Sequence, residues 1–192
     1  KLANAKRVAK PTPIGSDSSG GELGDLSQDS VTQGKVGAVL DLIAKPESGG
    51  RYDAVYPGRR RPQILDMTID ELIQDMRARG RASGSSASGR YQYIRKTLQG
   101  VTRQMGLDTA TTKFTPEVQD KIAIYHLRKN HSLDSWLSGR MSNERFLNKL
   151  AGTWAGIPKS TGGSAYAGVL DNKAGMSAGG ALSSLDRIKN IA

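Results

Sequence analysis

Apolar residues in this chain recur at the three-and-four spacing of helices over most of its length, with one long exception at the start. In "VTQGKVGAVLDLIAK", from residue 31, Val36, Val39, Leu40 and Ile43 fall on one face and predict a first core helix. Pro46 disfavours helical geometry at Lys45, which predicts that this helix stops there, with Glu47 just beyond its end. "TIDELIQDMRARG" predicts a second helix: Thr68 and Glu71 have capping-box spacing, Ile69, Leu72, Ile73 and Met76 form the stripe, and Gly80 is the expected stop. "YQYIRKTLQGVTRQMG" predicts a third, with Tyr91, Ile94, Leu98, Val101 and Met105 on one side. A fourth opens with Thr115 as cap, Pro116 at the first helical position and Glu117 in the first turn. "SLDSWLSG" predicts a short turn of helix, "SNERFLNKLAGTWAG" a helix burying Phe146, Leu147, Leu150 and Trp154, and "SSLDRIKNI" a last one. Residues 50–66 and 156–180 read as Gly-, Pro- and aromatic-rich loops, the first with room for a small β hairpin. The expected fold is mainly α.

The exception is the first 30 residues. "KPTPIGSDSSGGELGDLSQDS" is rich in Gly, Ser, Pro and Asp and holds too little apolar surface to offset its ordering entropy. It reads as a flexible N-terminal arm or linker, residues 1–30, ahead of a single domain, residues 31–192. No apolar stretch follows the basic start "KLANAKRVAKPTPIG", so no secretory signal is read there. No stretch approaches the ~18 apolar residues of a membrane span.

Composition removes some chemistry. The 192 residues include no cysteine, which excludes disulfides, thiolate nucleophiles and cysteine-ligated metals. His126 and His131 are five apart, off the four-residue spacing of a helical zinc pair, and no HExxH is present, so no metal role is expected. The glycines at 162–163 and 179–180 are not followed by the Lys-Ser/Thr of a phosphate-binding loop. No cofactor is expected. The formal net charge of +10 implies attraction to a polyanion, whether nucleic acid, an anionic membrane surface or an acidic cell-wall polymer, and does not choose among them. Arg59, Arg60 and Arg61 read as a solvated face or as a contact to such a polymer. Trp136 and Trp154 read as core.

Three stretches combine small residues with Tyr, Arg or Gln: "ESGGRYDAVYPG" (47–58), "SSASGRYQ" (85–92) and "WAGIPKSTGGSAYAG" (154–168). Small residues let a polymer approach the backbone, while aromatics and amides suit the flat faces and hydroxyls of sugar rings. Glu47, between a proline and two glycines, is the candidate proton donor. The negative end of the preceding helix and closure of the loops over a sugar would both keep it protonated. Arg51 opposes this if it points inward, and is expected to point away. A second carboxylate, needed about 5–9.5 Å away by a hydrolase, would be Asp53 or Asp66.

The same residues carry a resemblance. Glu47, the pair Tyr52-Asp53, "SGRYQ" at 88–92, "FTPEVQD" at 114–120, and Trp154, Ala155 and Pro158 followed by Tyr166 and Gly168 occur in an order that resembles the bacteriophage lambda-type lytic transglycosylases of the lysozyme-like superfamily. That resemblance spans roughly residues 36–191. It implies a lysozyme-like α+β fold and an enzyme that cleaves the MurNAc-GlcNAc β-1,4 bond of peptidoglycan, with Glu47 acting first as acid and then as base. It implies substrate contacts from Ser48, Tyr52, Asp53, Gly89, Arg90, Tyr91, Gln92 and Tyr166. From the residues alone, Tyr91 lines the cleft or belongs to the core, and Arg90 meets the polymer or pairs with a carboxylate. Asp53 is structural, substrate-binding, or, in a hydrolytic muramidase, the second carboxylate. The expected partners are a glycan strand and, through the arm, other phage virion or tail proteins, with nucleic acid disfavoured. The expected place of action is the host periplasm, reached from a virion or as a free endolysin. A non-enzymatic basic virion module is the competing class.

Overall fold

The computed structural model describes residues 30–168 and 173–192. The arm, apart from Ser30, lies outside the described residues. The first helix, α1 (Ser30–Ser48), buries Val36, Val39, Leu40, Ile43 and Ala44. Each fully buried aliphatic side chain there contributes about 1.5–3 kcal/mol from removal of apolar surface from water. This stripe packs against α4 (Pro116–His131) and α7 (Ala178–Lys189).

The helix does not stop at Lys45. It runs through Pro46 to Ser48, so Glu47 sits in its last turn. A proline in the final turn forfeits one backbone bond, a smaller disruption than one in mid-helix. The end is then closed by Gly49 N–H donating to Lys45 O (3.1 Å) and Gly50 N–H to Ala44 O (3.2 Å), both glycines at positive φ.

The chain next forms a short antiparallel hairpin, β1 (Ala54–Val55) and β2 (Arg59–Arg60), with Ala54 opposite Arg60 and Val55 opposite Arg59. Bridges from Val55 to Ser88 and from Ser88 to Tyr93 bring the 88–93 segment alongside it. A 3-10 turn (Pro62–Leu65) leads into α2 (Ile69–Ser83), whose Thr68–Glu71 capping box is present as expected. This helix passes Gly80 and ends three residues later, with Gly84 in the left-handed conformation as cap. Gly80 is tolerated inside because a left-handed residue and its cap bond are supplied only at Gly84.

The third helix, α3, spans Arg95–Gln104. It is shorter than the apolar spacing predicts, because Gly89 and Gln92 both have positive φ and hold residues 89–92 in a turn, after which Tyr93 bridges to Ser88. Tyr91 is buried in the core from that turn, and Ile94, in phase with Leu98, is instead half exposed. α4 begins as its sequence indicates, with Thr115 accepting a bond from Val118 N–H and Pro116 at the first position. α5 (Leu133–Leu137) and α6 (Asn143–Ala151) follow, and Trp136 stacks on Phe146 at 4.6 Å between ring centres. α7 starts at Ala178, capped by Ser177, earlier than the sequence suggests. Among the described residues no helix is long and apolar enough to cross a membrane.

Candidate active-site groove

Five parts of the chain meet around a groove of about 930 Å³: the end of α1, the turn of the β hairpin, the end of α2, the 84–97 segment and the loop that follows α6. Glu47, Gln92 and Tyr166 line it, together with Tyr56, Trp154 and Gly156. Glu47 is half-buried, and its Oε1 accepts a bond from Gly156 N–H at 2.8 Å. Among the described residues it has no ion-pair partner. Arg51 is exposed and reaches Gly58 O, away from the acid.

Burial pushes the Glu47 carboxyl from an ordinary 4.5 up to about 7, against the opposing pull of the Gly156 N–H. Of the two contributions the sequence suggested, the helix end and desolvation, burial is the main one. A carboxyl titrating near neutrality can give a proton and later take one back, which suits it to general acid–base work.

Gly156 has no side chain for a steric reason. A Cβ there would sit 2.9 Å from Pro46 Cβ and 3.0 Å from Glu47 Oε1. The loop after α6 therefore presses directly on the acid and on the proline before it. Tyr166 is held by its hydroxyl donating to Gly152 O. Gln92 Nε2 donates to Gly89 O (2.7 Å) and Ala54 O (3.2 Å), fixing its side chain between the hairpin and the turn. Tyr93 reaches the groove from below, hydrogen-bonded to buried His126 (3.1 Å), and His131 bonds Thr153 at 2.9 Å. Burial, and to a smaller extent His131, pushes His126 down to about 4.

Ser48, Tyr52, Asp53, Gly89, Arg90 and Tyr91 do not line the groove. All but Asp53 belong to a polar hub beside it. Asp120 on α4 accepts from Tyr91 Oη (2.6 Å) and Tyr52 Oη (2.9 Å). The Arg90 guanidinium donates to Tyr52 Oη (2.7 Å), pairs with Asp41, approaches Asp120 (3.6 Å) and lies over the Tyr52 ring. Burial and then Asp120 hold the Tyr91 hydroxyl well above the usual phenol range. Of the two readings each residue had, Arg90 takes the ion pair and Tyr91 the core.

Ser48 Oγ donates to Arg90 O at 2.7 Å, tying the end of α1 to the hub. Gly89, at φ 78°, lies so close to Gln119 and Phe114 that a Cβ would stand 2.4 Å from Gln119 Oε1. Gln119, fully buried, accepts from Arg90 N–H (2.8 Å) and donates to Tyr52 O (3.2 Å) and Phe114 O (3.1 Å). Asp53 is buried and paired with Arg60 at 2.8 Å, and Asp66 is exposed; neither lines the groove. Arg61 pairs with Asp75, so two of the three consecutive arginines have carboxylate partners.

Asp41 was not among the sequence candidates, and Gln119 and Asp120 entered only as the end of the "FTPEVQD" match, with no role assigned. Gln119 carried a signal, since it shares a face with buried Ile122, Ala123 and His126, and a polar residue on an apolar face needs a partner. Tyr56 sits inside the first glycine-and-aromatic stretch but had nothing to single it out. Trp154 is both core, as expected, and groove wall, its indole donating to Tyr91 O at 3.0 Å.

Among the described residues, seven helices, a two-stranded hairpin beside a groove and an acid at the end of the first core helix define a lysozyme-like α+β protein. The Endolysin family model matches residues 38–178, and the chain belongs to that family. It is similar to the endolysin of Escherichia phage P2, 28% identical over 140 residues that cover 66% of this chain and 81% of the relative. Membership places it among phage proteins that degrade host peptidoglycan.

Proposed function

We propose that residues 31–192 form a lytic transglycosylase that cleaves the MurNAc-GlcNAc β-1,4 bond, with Glu47 as its only catalytic side chain. One observation carries this reading: among the described residues Glu47 is the sole carboxylate lining the groove. A hydrolase of either stereochemistry needs a second carboxylate about 5–9.5 Å from the first. Asp53 is occupied by Arg60 and Asp66 faces solvent outside the groove.

The chemistry closes with one acid. Neutral Glu47 protonates the glycosidic oxygen as the bond to the MurNAc anomeric carbon breaks. The resulting carboxylate accepts the proton of the same sugar's C6 hydroxyl, whose oxygen bonds to the anomeric carbon and forms a 1,6-anhydro ring. The proton given is recovered, and no water attacks. The Gly156 N–H is placed to steady the carboxylate stage, while burial favours the neutral stage.

Mass spectrometry of the glycan fragments tests this. Anhydro ends, lighter by one water than reducing ends, are expected in every wild-type digest. Reducing ends alone would assign a hydrolytic muramidase and return attention to Asp53. A zymogram in which wild-type protein clears no peptidoglycan would instead favour the non-enzymatic class.

A further inference from the structure

Charge in the groove is one-sided: among the described residues five cations line it against one carboxylate, Glu47. Some arginines outside the groove have carboxylate partners: Arg60 with Asp53, Arg61 and Arg79 with Asp75, Arg128 with Asp134. The groove is lined by Arg77 and Arg81 from α2, Arg95 and Lys96 from the start of α3, and Lys173, and none of these has an ion-pair partner among the described residues. Arg95 bonds only the side chain of Gln99 through its guanidinium, at 2.8 Å. Arg77, Arg81 and Lys96 are exposed.

Two of these cations stand where folding disfavours them. Arg95 and Lys96 open α3, and positive charge at a helix N-terminus costs about 0.3–1 kcal/mol; the first turn holds no acid to offset it. Ile94, the one exposed large apolar residue among those described, adjoins them on the groove wall. Nor do these cations serve the acid. Burial and the Gly156 N–H govern Glu47, with no cation acting on it. Positive charge that is unpaired, set in the groove and out of reach of the acid is available to the ligand.

We propose that the wall formed by Arg77, Arg81, Arg95 and Lys96 is a carboxylate-reading subsite for the peptide branches carried by the glycan strand, so that the protein prefers strands bearing acidic stem peptides to bare glycan. The proposal rests on the groove being the glycan-binding site. The sugar backbone between its lactyl groups is neutral, so the negative charges of such a strand lie on its branches, beside the rings that Glu47 cleaves. Cations along one wall select for strands with branches and fix which side of the strand faces that wall.

The test compares intact peptidoglycan strands with strands stripped of peptides by an amidase and then converted to methyl amides at the freed lactyl carboxylates, so that the control glycan is neutral, using wild-type protein and Arg77→Gln/Arg81→Gln/Lys96→Gln. These side chains are exposed and unpaired, so the triple variant is expected to fold, which circular dichroism checks. Wild-type kcat/KM is expected to be about tenfold higher on intact strands, from several exposed charge contacts acting together. In the variant that ratio is expected to fall to about one. Sedimentation with both substrates, using Glu47→Gln protein with and without the three added changes, gives a readout free of turnover. Preference for intact strands that disappears with the triple change and weakens with salt supports the subsite. An unchanged preference in the variant overturns it, as does equal wild-type binding to both substrates. Loss of DNA binding with no change on peptidoglycan would assign the patch to nucleic acid and also overturn it. If nothing is cleaved, the enzymatic reading fails while the sedimentation result still decides the subsite.

Discussion

Two polar regions lie on either side of the 89–92 turn, and they use similar residues to opposite ends. In the hub, Asp120 meets two tyrosine hydroxyls and the Arg90 guanidinium, and Arg90 in turn meets Asp41, so charge is matched by charge at short range. In the groove, one carboxyl and several unpaired cations line the same concave surface with no ion pair between them, and among the described residues the carboxyl's hydrogen bond is to a backbone N–H. Paired groups hold elements together, because removing one partner strands the other. Groups left unpaired at a concave surface keep their capacity for a ligand. On the proposed reading, the Gly-Arg-Tyr stretch serves architecture and the Glu47 turn serves chemistry.

Substitutions should separate the two regions sharply. The largest effect is expected from Glu47→Gln, which removes the transferable proton and should lower turnover at least about 100-fold with the fold intact, as read by fragment release and circular dichroism. Asp120→Ala should do the reverse. It leaves Tyr52, Tyr91 and Arg90 without their shared acceptor and should cost about 2–4 kcal/mol in urea unfolding, with the folded fraction still cleaving. Equal loss of turnover per folded molecule in both variants would erase the distinction.

Gly156→Ala should blur it from the groove side. The new methyl meets Pro46 and Glu47 Oε1, so the loop must move and the N–H bond must lengthen; about 1–3 kcal/mol of stability should be lost along with part of the rate.

The smallest effect is a gain. In the unfolded chain Glu47 ionises near 4.5 and in the folded protein near 7, so between those values the folded state keeps a proton that the unfolded state has released. Stability from the neutral carboxyl is full below about 4.5, falls as pH rises, and is at its lowest above about 7. Glu47→Gln removes that dependence, and thermal unfolding at pH 8 should show the variant more stable by about 1–2 kcal/mol, with the difference vanishing at pH 4.

What could be read from the chain followed the range of the interaction. The stripe of α1, the capping box at Thr68 and the Thr115-Pro116 start of α4 depend on residues within a turn of one another, and each is where the spacing puts it. Glu47 stood out because a lone acid between proline and glycines is a local anomaly. The continuation of α1 past Pro46 was not legible, since the groups packed on that proline, Gly156 and Gly175, come from the far end of the sequence. The same holds for the Gly156 N–H on the acid. At α3 the local signal misled: Tyr91 and Ile94 are in helical phase, but the left-handed Gln92 and the pairing of Ser88 with Tyr93 take the segment out of the helix. The Asp120 hub needed three elements to be brought together before its donors and acceptor could be matched.

The claim at the centre is that enclosure without a charged partner keeps Glu47 neutral at the pH of its work. Carbon-13 NMR of the glutamate side-chain carboxyls, titrated from pH 3 to 9 with Glu47→Gln to assign the signal, measures this directly. One resonance with a midpoint near 7 that is absent in the variant is the expected result. A Glu47 midpoint near 4.5, with the other glutamates, would contradict it.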